Sequence, residues 1–398
     1  MSPSATPSGT RPRRTLPARL IGAGLAGTIG VAALTACGSA ADQGADVSYA
    51  PAPAAQQLAE VCPETLTVQL QWQPQSDMGG VFEMLGDDYT VDPSNKSMTG
   101  TLVAQGKDTG VKLKLKAGGP AIGFQSVASQ MYVDDDIDLG LVHGDQLIAA
   151  SGSQKVVGVA PLLTHNPAIL MWAPAEHPDM TLRNLKDSGA TVVVSKEQTF
   201  PAWLVAEGLL SQSQIDTSYD GNPARFVGDP SIVQQGYVNS EPYTYEHETP
   251  AWDKKVDYGL LSSVGFDPYA SNVSVRADKL AKMSPCLKKL VPIIQRANAD
   301  YITSPQHTNQ KIVDIVAKDG SYSAYTIGEA TYSSDVLKSL KLISNENGSV
   351  STYDPARVAA FVADIAPVIA QQGQKVDPKV DPASLFDPQF GDRGIAIP

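Results

Sequence analysis

The chain has 398 residues, with 30 Lys+Arg against 42 Asp+Glu and a formal net charge of −12. Residues 1–36 hold four arginines and no acid, so losing them leaves the remainder four charges more negative. That balance excludes a nucleic-acid-binding surface, which needs a basic face, and excludes docking on anionic lipid through basic patches.

In chain order, Arg11, Arg13, Arg14 and Arg19 precede an apolar run, Leu20 to Ala36, and then Cys37-Gly38-Ser39. A basic region, an apolar region and small residues before a cut are the layout of an export signal. Leu34-Thr35-Ala36-Cys37 resembles the bacterial lipobox, whose cysteine is acylated and becomes the first mature residue. The bland alternative is a transmembrane anchor. Arg13-Arg14-Thr15-Leu16 resembles a twin-arginine signal, from which Pro17 departs; Sec and Tat export both stay open. Gly22, Gly24 and Gly27 spell a dinucleotide-binding fingerprint, but within an export signal they lack the strand and helix that motif requires.

The chain holds 3 Cys. With Cys37 assigned to lipid, Cys62 and Cys286 are expected to form a disulfide in an oxidising compartment; two buried thiols are the alternative. Residues 38–60 are rich in Ala, Pro, Gln, Gly and Asp and read as a flexible tether. The globular part is expected from about Val61, long enough for two lobes.

Apolar alternation predicts strands at 66–72, 111–116, 138–142, 155–162, 168–173, 190–194 and 256–262. Helices are expected at 79–85, 121–132, 145–151, 200–210 and 230–237. Between Asp87 and Lys116 a hairpin is expected, turning at Lys107-Asp108-Thr109-Gly110. The last third carries apolar residues at helical spacing in three segments, the final one capped by Asp354-Pro355. Strands alternating with helices predict an α/β fold with mainly parallel sheets.

Ligands of open α/β sheets bind where strands empty into helix starts. Three passages have that form. The first ends in Trp72, Gln73, Gln75 and Asp77. The second carries Gly118, Gly119, Pro120, Phe124, Gln125 and Ser126. The third carries His143, Gly144, Asp145 and Gln146. Glycines there admit close backbone approach, and free helix-start N–H groups suit polar or anionic groups.

The stretch WQPQSDMGGVFEML, followed by AGGPAIGFQSVASQ through GVAPLL and then GDPSIVQQGYVNSEPYTYE, resembles ABC-importer solute-binding proteins of the nitrate/sulfonate/taurine and thiamine-pyrimidine-precursor type. The likeness runs over about 62–310 and departs from the family in the hairpin near 90–110 and in Asn239, where relatives often carry Asp. It implies a type II periplasmic-binding fold, with two lobes, a hinge and a C-terminal helical region. Lobe one would comprise 62–165 and 270–398, lobe two 166–265, with crossings near Leu163–Asn166 and Asp267–Asn272. It implies hinge closure on a small-molecule ligand delivered to an ABC permease by a monomer held at the membrane through lipid, with no cofactor.

On that layout the second lobe would add Ser195, Lys196, Glu197, Phe200, Asp229, Glu241 and Tyr243. Trp72, Phe124, Trp203 and Tyr243 would stack on a planar ring, and Gln73, Asp77 and Glu241 would meet ring amines. The preferred ligand is a pyrimidine-like heterocycle; a small sulfonate held by helix starts at Gly119 and Gly144 is second. Metal binding finds no support, since the 5 His are scattered without zinc spacing and Asp134, Asp136 and Asp138 lack the glycine and glutamate an EF-hand loop needs. No nucleophile elbow occurs, and the Cys-rich motif of pyrimidine synthases sharing this fold is missing, so no enzyme is expected. A sensory or adhesion module on the same fold is the other alternative.

Overall fold

The computed structural model describes residues 47–196, 198–373, 375–377 and 380–398. The expected export signal, the lipobox with Cys37, and Glu197 lie outside the described residues.

Two sheets are built from β1 (Thr65–Gln69), β2 (Thr90–Asp92), β3 (Ser97–Ala104), β4 (Lys107–Lys116), β5 (Leu139–Val142), β6 (Val156–Leu163), β7 (Ala168–Trp172), β8 (Val192–Val193), β9 (Ile215–Asp216), β10 (Val233–Tyr237), β11 (Asp257–Leu260) and β12 (Ala270–Arg276). The first sheet runs β2-β3-β4-β1-β5-β12-β6 and the second β11-β7-β10-β8-β9. In the first, β1 lies parallel to β4 and β5, while β12 returns antiparallel to β5 and β6.

Strand β1 is buried on both faces, as parallel strands between covering layers are. Leu66 and Val68 enter the core on one side, and Gln69 on the other is fully buried. Its amide donates to the carbonyls of Leu70, Lys116 and Ala117, pinning the end of β1 to the end of β4. The helix Gly79–Glu83 follows and crosses the long helix Leu280–Thr303 closely. A Cβ on Gly79 would lie 2.1 Å from the Tyr301 ring, so only glycine lets these helices meet. Phe82, Leu290, Ile294 and Ile312 join β1 and β4 in one core.

The expected disulfide is present: Cys62 and Cys286 are bonded, 224 positions apart in sequence. All three C-terminal segments form their helices, Leu280–Thr303, Gln306–Asp319 and Pro355–Gln371. Asp354 caps the last, accepting from the N–H groups of Ala356 and Arg357 at 2.7 and 3.1 Å.

Five expectations are corrected. The sheets are not mainly parallel: β1–β4, β1–β5, β8–β10 and β8–β9 pair in parallel, and the other six pairings among the described residues of these two sheets are antiparallel. Residues 230–237 are not a helix: Val233–Tyr237 is strand β10, in the middle of the second sheet between β7 and β8. The hairpin turns at Gln105-Gly106, not at 107–110; both have positive φ, 49° and 71°, the conformation of a tight two-residue turn that follows strand twist. The helix expected over 121–132 is broken. A short 3-10 turn, Gly119–Ile122, is separated from the helix Val127–Val133 by Gly123 and Phe124, both left-handed. Residues 47–61 do not behave as a loose tether. Ala52 and Leu58 donate backbone hydrogen bonds to Asp108 and Thr109 at the start of β4, and Leu58 is fully buried.

The chain passes between the sheets twice, over residues 164–167 and 261–269. These crossings touch. Asp267 accepts from the Asn166 N–H at 2.9 Å and lies 2.6 Å from His165 Nδ1. Arg357 clasps both, donating to the Thr164 carbonyl at 2.8 Å and to the Asp267 carboxylate at 3.0 Å. The helix carrying Arg357 also reaches the second sheet's layer, where Trp203 Nε1 donates to Asp364 at 2.7 Å and Phe361 packs on Phe266.

Candidate functional site

The end of β1 empties between the two sheets, and the side chains there form a connected polar wall. The Gln71 amide donates to Asp77 Oδ2 at 3.2 Å and to Ser271 Oγ at 2.7 Å. The Ser271 N–H in turn donates to His143 Nδ1 at 3.3 Å. Since Nδ1 accepts, the proton of a neutral His143 sits on Nε2. Burial holds this imidazole below its ordinary value, against the opposing pull of Asp145. Asp145 is buried and accepts the hydroxyl of Thr199, which stands at the start of the helix Phe200–Ala206 on the other side.

From the second sheet come β10 and the segment after it. Glu241 folds back so that Oε2 accepts the Tyr237 N–H at 2.7 Å, and Tyr219 donates to Oε1 at 3.4 Å. Gly236 makes room for this, since a Cβ there would lie 3.1 Å from the glutamate chain.

Three carboxyls in this region have their proton affinity raised, each mainly by burial. Asp77 is pushed up to about 6, Glu241 to about 7 and Glu329 to about 8. Asp77 adds to the rise at Glu241, and Glu248 and Glu241 add to that at Glu329. Among the described residues, no lysine or arginine is a main influence on any of the three. Glu329 lies on the helix Ile327–Ser339 and accepts from Ser240 at 2.7 Å and Thr244 at 3.3 Å.

Two acceptors in this wall are buried and have no donor: Asp77 Oδ1 and Gln71 Oε1. A buried acceptor left without a partner costs on the order of 1–3 kcal/mol, so adjacent orphans mark a place where a donor belongs. The space left between the halves at His143, Asp145, Gln198, Tyr237 and Phe266 is about 10 Å³, room for a single water at most. A small organic molecule does not fit that space as it stands. A wider hollow of about 300 Å³ lies elsewhere, on the flank of β7 and β11, lined by Trp172, Leu182 and Tyr258.

The sequence-predicted residues divide. Asp77, His143, Asp145 and Glu241 come together in the wall. Trp72 stands beside it with Phe124, ring centroids 5.8 Å apart, and a Cβ on Gly221 of the opposite side would come within 3.5 Å of the Trp72 ring. Gly118 and Gly119 are needed for this chain's own packing: added Cβ atoms would lie 2.2 Å from the Leu70 carbonyl and 2.4 Å from Trp72. Gly119 also has φ +57°.

Others are occupied by this chain. Gln73 is buried, its amide bound on both sides to the Ser323 backbone at 3.3 and 3.1 Å. Ser195 is engaged by Gln235 and by the Tyr219 carbonyl. Gln125 is exposed and accepts from Gln130 at 2.7 Å. Lys196 is exposed, and Asp229 is an exposed turn carboxylate bound to Ser231. Phe200 and Trp203 are core residues packed around Phe266, so the expected stacking role of Trp203 is withdrawn. Tyr243 packs on Tyr332 and His247 beneath the helix Ile327–Ser339, away from the wall's open acceptors. The Gly144 N–H, counted on for an anion, donates to the Tyr269 carbonyl at 2.9 Å.

Sequence reasoning missed Gln71, Ser271, Tyr219 and Tyr237. Gln71 was legible as the outward residue beside Trp72; Tyr219 and Tyr237 carry no signal that separates them from core aromatics.

Two sheets joined by paired crossings, with polar side chains facing across the junction, define a two-part α/β architecture. No protein-family model matches the sequence. No curated protein matches it either. Solved structures do. The periplasmic aliphatic sulphonate binding protein SsuA from Escherichia coli superposes with TM-score 0.53 at 14% identity, covering 82% of this chain and 93% of that one. The periplasmic nitrate-binding protein NrtA from Synechocystis PCC 6803 gives TM-score 0.53 at 11% identity, covering 83% and 88%. A protein of Bordetella bronchiseptica RB50 gives 0.51 at 14%, covering 82% and 96%. The chain has the periplasmic-binding-protein fold.

Proposed function

We propose that the protein is a solute-binding protein of the extracytoplasmic face, anchored by lipid on Cys37, which hands a small organic solute to an ABC import permease. Residues 62–165 with 270–398 would form one lobe and 166–265 the other, closing as a monomer about the Thr164–Pro167 and Leu261–Tyr269 crossings. The fold supports this reading, and SsuA and NrtA bear the names of sulphonate and nitrate binders.

The observation that carries it is the pair of donor-less acceptors, Asp77 Oδ1 and Gln71 Oε1, buried where the halves meet. A planar polar heterocycle with ring amines, pyrimidine-like, supplies donors to both and has Trp72 and Phe124 at hand to stack on. A small sulfonate ranks second. It brings acceptors to a wall that already has too many, and a negative charge to Asp77 and Glu241. The test is a thermal-shift screen of the chain without its leader against pyrimidines and alkanesulfonates. Ligand raises the melting temperature by mass action. Shifts from sulfonates with none from pyrimidines would reverse the preference. Cys37→Ser is expected to release the protein from membranes; retention refutes the anchor.

A further inference from the structure

The inner end of the wall has a charge imbalance that a neutral solute leaves unresolved. Asp77, after β1 of the first sheet, is near enough to raise the proton affinity of Glu241, after β10 of the second, and Glu329 binds Ser240 next to Glu241. Carboxylates buried in a protein normally have a cation or several donors, because an ion taken out of water costs several kcal/mol even after relaxation. Here the donors are few. Asp77 has the Gln71 amide and the influence of its own and the Met78 backbone N–H groups, yet Oδ1 has no hydrogen-bond partner. Glu241 has the Tyr237 N–H, the influence of its own N–H and a long hydroxyl contact. The Gln71 amide is oriented by Asp77 and Ser271 so that its carbonyl oxygen, also unserved, lies on the same wall.

We infer that this end of the cleft binds a positively charged nitrogen group of the solute, an amidinium, guanidinium or protonated amine, held by Asp77 and the Gln71 carbonyl and balanced by Glu241. The inference rests on the solute-binding reading and adds the charge the solute must carry. A cation head supplies donors to both orphaned acceptors and favours the ionised form of the two carboxyls. Charge-assisted hydrogen bonds of this kind are roughly twice as strong as neutral ones. An anion would bring negative charge and further acceptors to two buried carboxyls, so the fold's likeness to a sulphonate binder does not extend to this wall's chemistry.

The experiment uses three probes that share a ring and differ in head group: benzamidine, benzamide and benzenesulfonate. Each is titrated calorimetrically into the leaderless chain. Benzamidine is expected to bind at least about tenfold more tightly than benzamide, with benzenesulfonate weakest. Asp77→Asn, which keeps the side-chain shape, is expected to bring benzamidine down to within about threefold of benzamide. Glu241→Gln gives an independent variant expected to act in the same direction. Asp229→Asn, on an exposed turn, is expected to leave all three affinities unchanged. Benzenesulfonate binding more tightly than benzamidine would overturn the inference and leave the solute-binding reading standing. So would a benzamidine preference that survives both variants. Absence of binding by these probes and by the pyrimidine and sulfonate panels alike would overturn both.

Discussion

Glu241→Gln removes a buried charge while keeping the side chain's hydrogen bonds. The glutamine carbonyl takes over the Tyr237 N–H, and its amide faces the Tyr219 hydroxyl, which turns to accept. Burial raises the native carboxyl from 4.5 to about 7. The folded state therefore holds this proton more tightly than the unfolded chain. Stability is greatest below the unfolded value, falls as pH rises between 4.5 and about 7, and levels off beyond. At about 1.4 kcal/mol for each tenfold in proton affinity, the full loss is about 3 kcal/mol. The variant lacks that loss. Urea unfolding of both proteins at pH 5, 6, 7 and 8 reads it, because titrating groups remote from Glu241 cancel in the difference and the couplings to Asp77 and Glu329 are smaller than the burial effect. The variant is expected to match the parent near pH 5 and to exceed it by up to about 3 kcal/mol at pH 8. A difference that stays constant with pH, or grows in the parent's favour, refutes the burial argument for this carboxyl.

Three further outcomes follow from the packing. Reducing the Cys62–Cys286 bond, which closes a loop spanning 224 residues, is expected to cost on the order of 5 kcal/mol, read as a lower melting temperature in dithiothreitol; an unchanged transition refutes this. Leu58→Ala is expected to cost about 2–5 kcal/mol in urea unfolding, since Leu58 is fully buried, whereas a true tether residue would cost nothing. Gly119→Ala places a methyl 2.4 Å from the Trp72 ring at φ +57°, so it is expected to cost more than about 1 kcal/mol and to shift indole fluorescence; a silent substitution would show that Trp72 is free to move.

The elements whose patterning is apolar were legible in the sequence: β1, β4 to β7, and the three C-terminal helices. The misses share a cause. Strand β12 reads ASNVSVR, and its buried Ser271, Asn272 and Ser274 look like loop residues. Their polarity is absorbed locally, as Asn272 donates to the carbonyls of Val142 and Tyr269 and Ser274 to that of Asn272. The helix Ile327–Ser339 hides in the same way, burying Glu329, Ser333 and Ser334 instead of an apolar stripe. In β10, Gln234 and Gln235 are buried in mid-sheet, and two glutamines beside glycine suit no period. At the site, residue type pointed to Asp77 and Glu241, but only coordinates separate Gln71, which faces the wall, from Gln73, which ties down the Ser323 loop.

Arg357 holds both connecting segments from the first turn of the last helix, and Asp364, two turns on, holds Trp203. A joint gripped by a third member bends along an arc that member sets. On the solute-binding reading proposed above, substitutions in that helix would alter how wide the mouth gapes, and how long a captured guest stays, without touching the guest. Tuning of residence time would then be separated along the chain from the choice of what is carried.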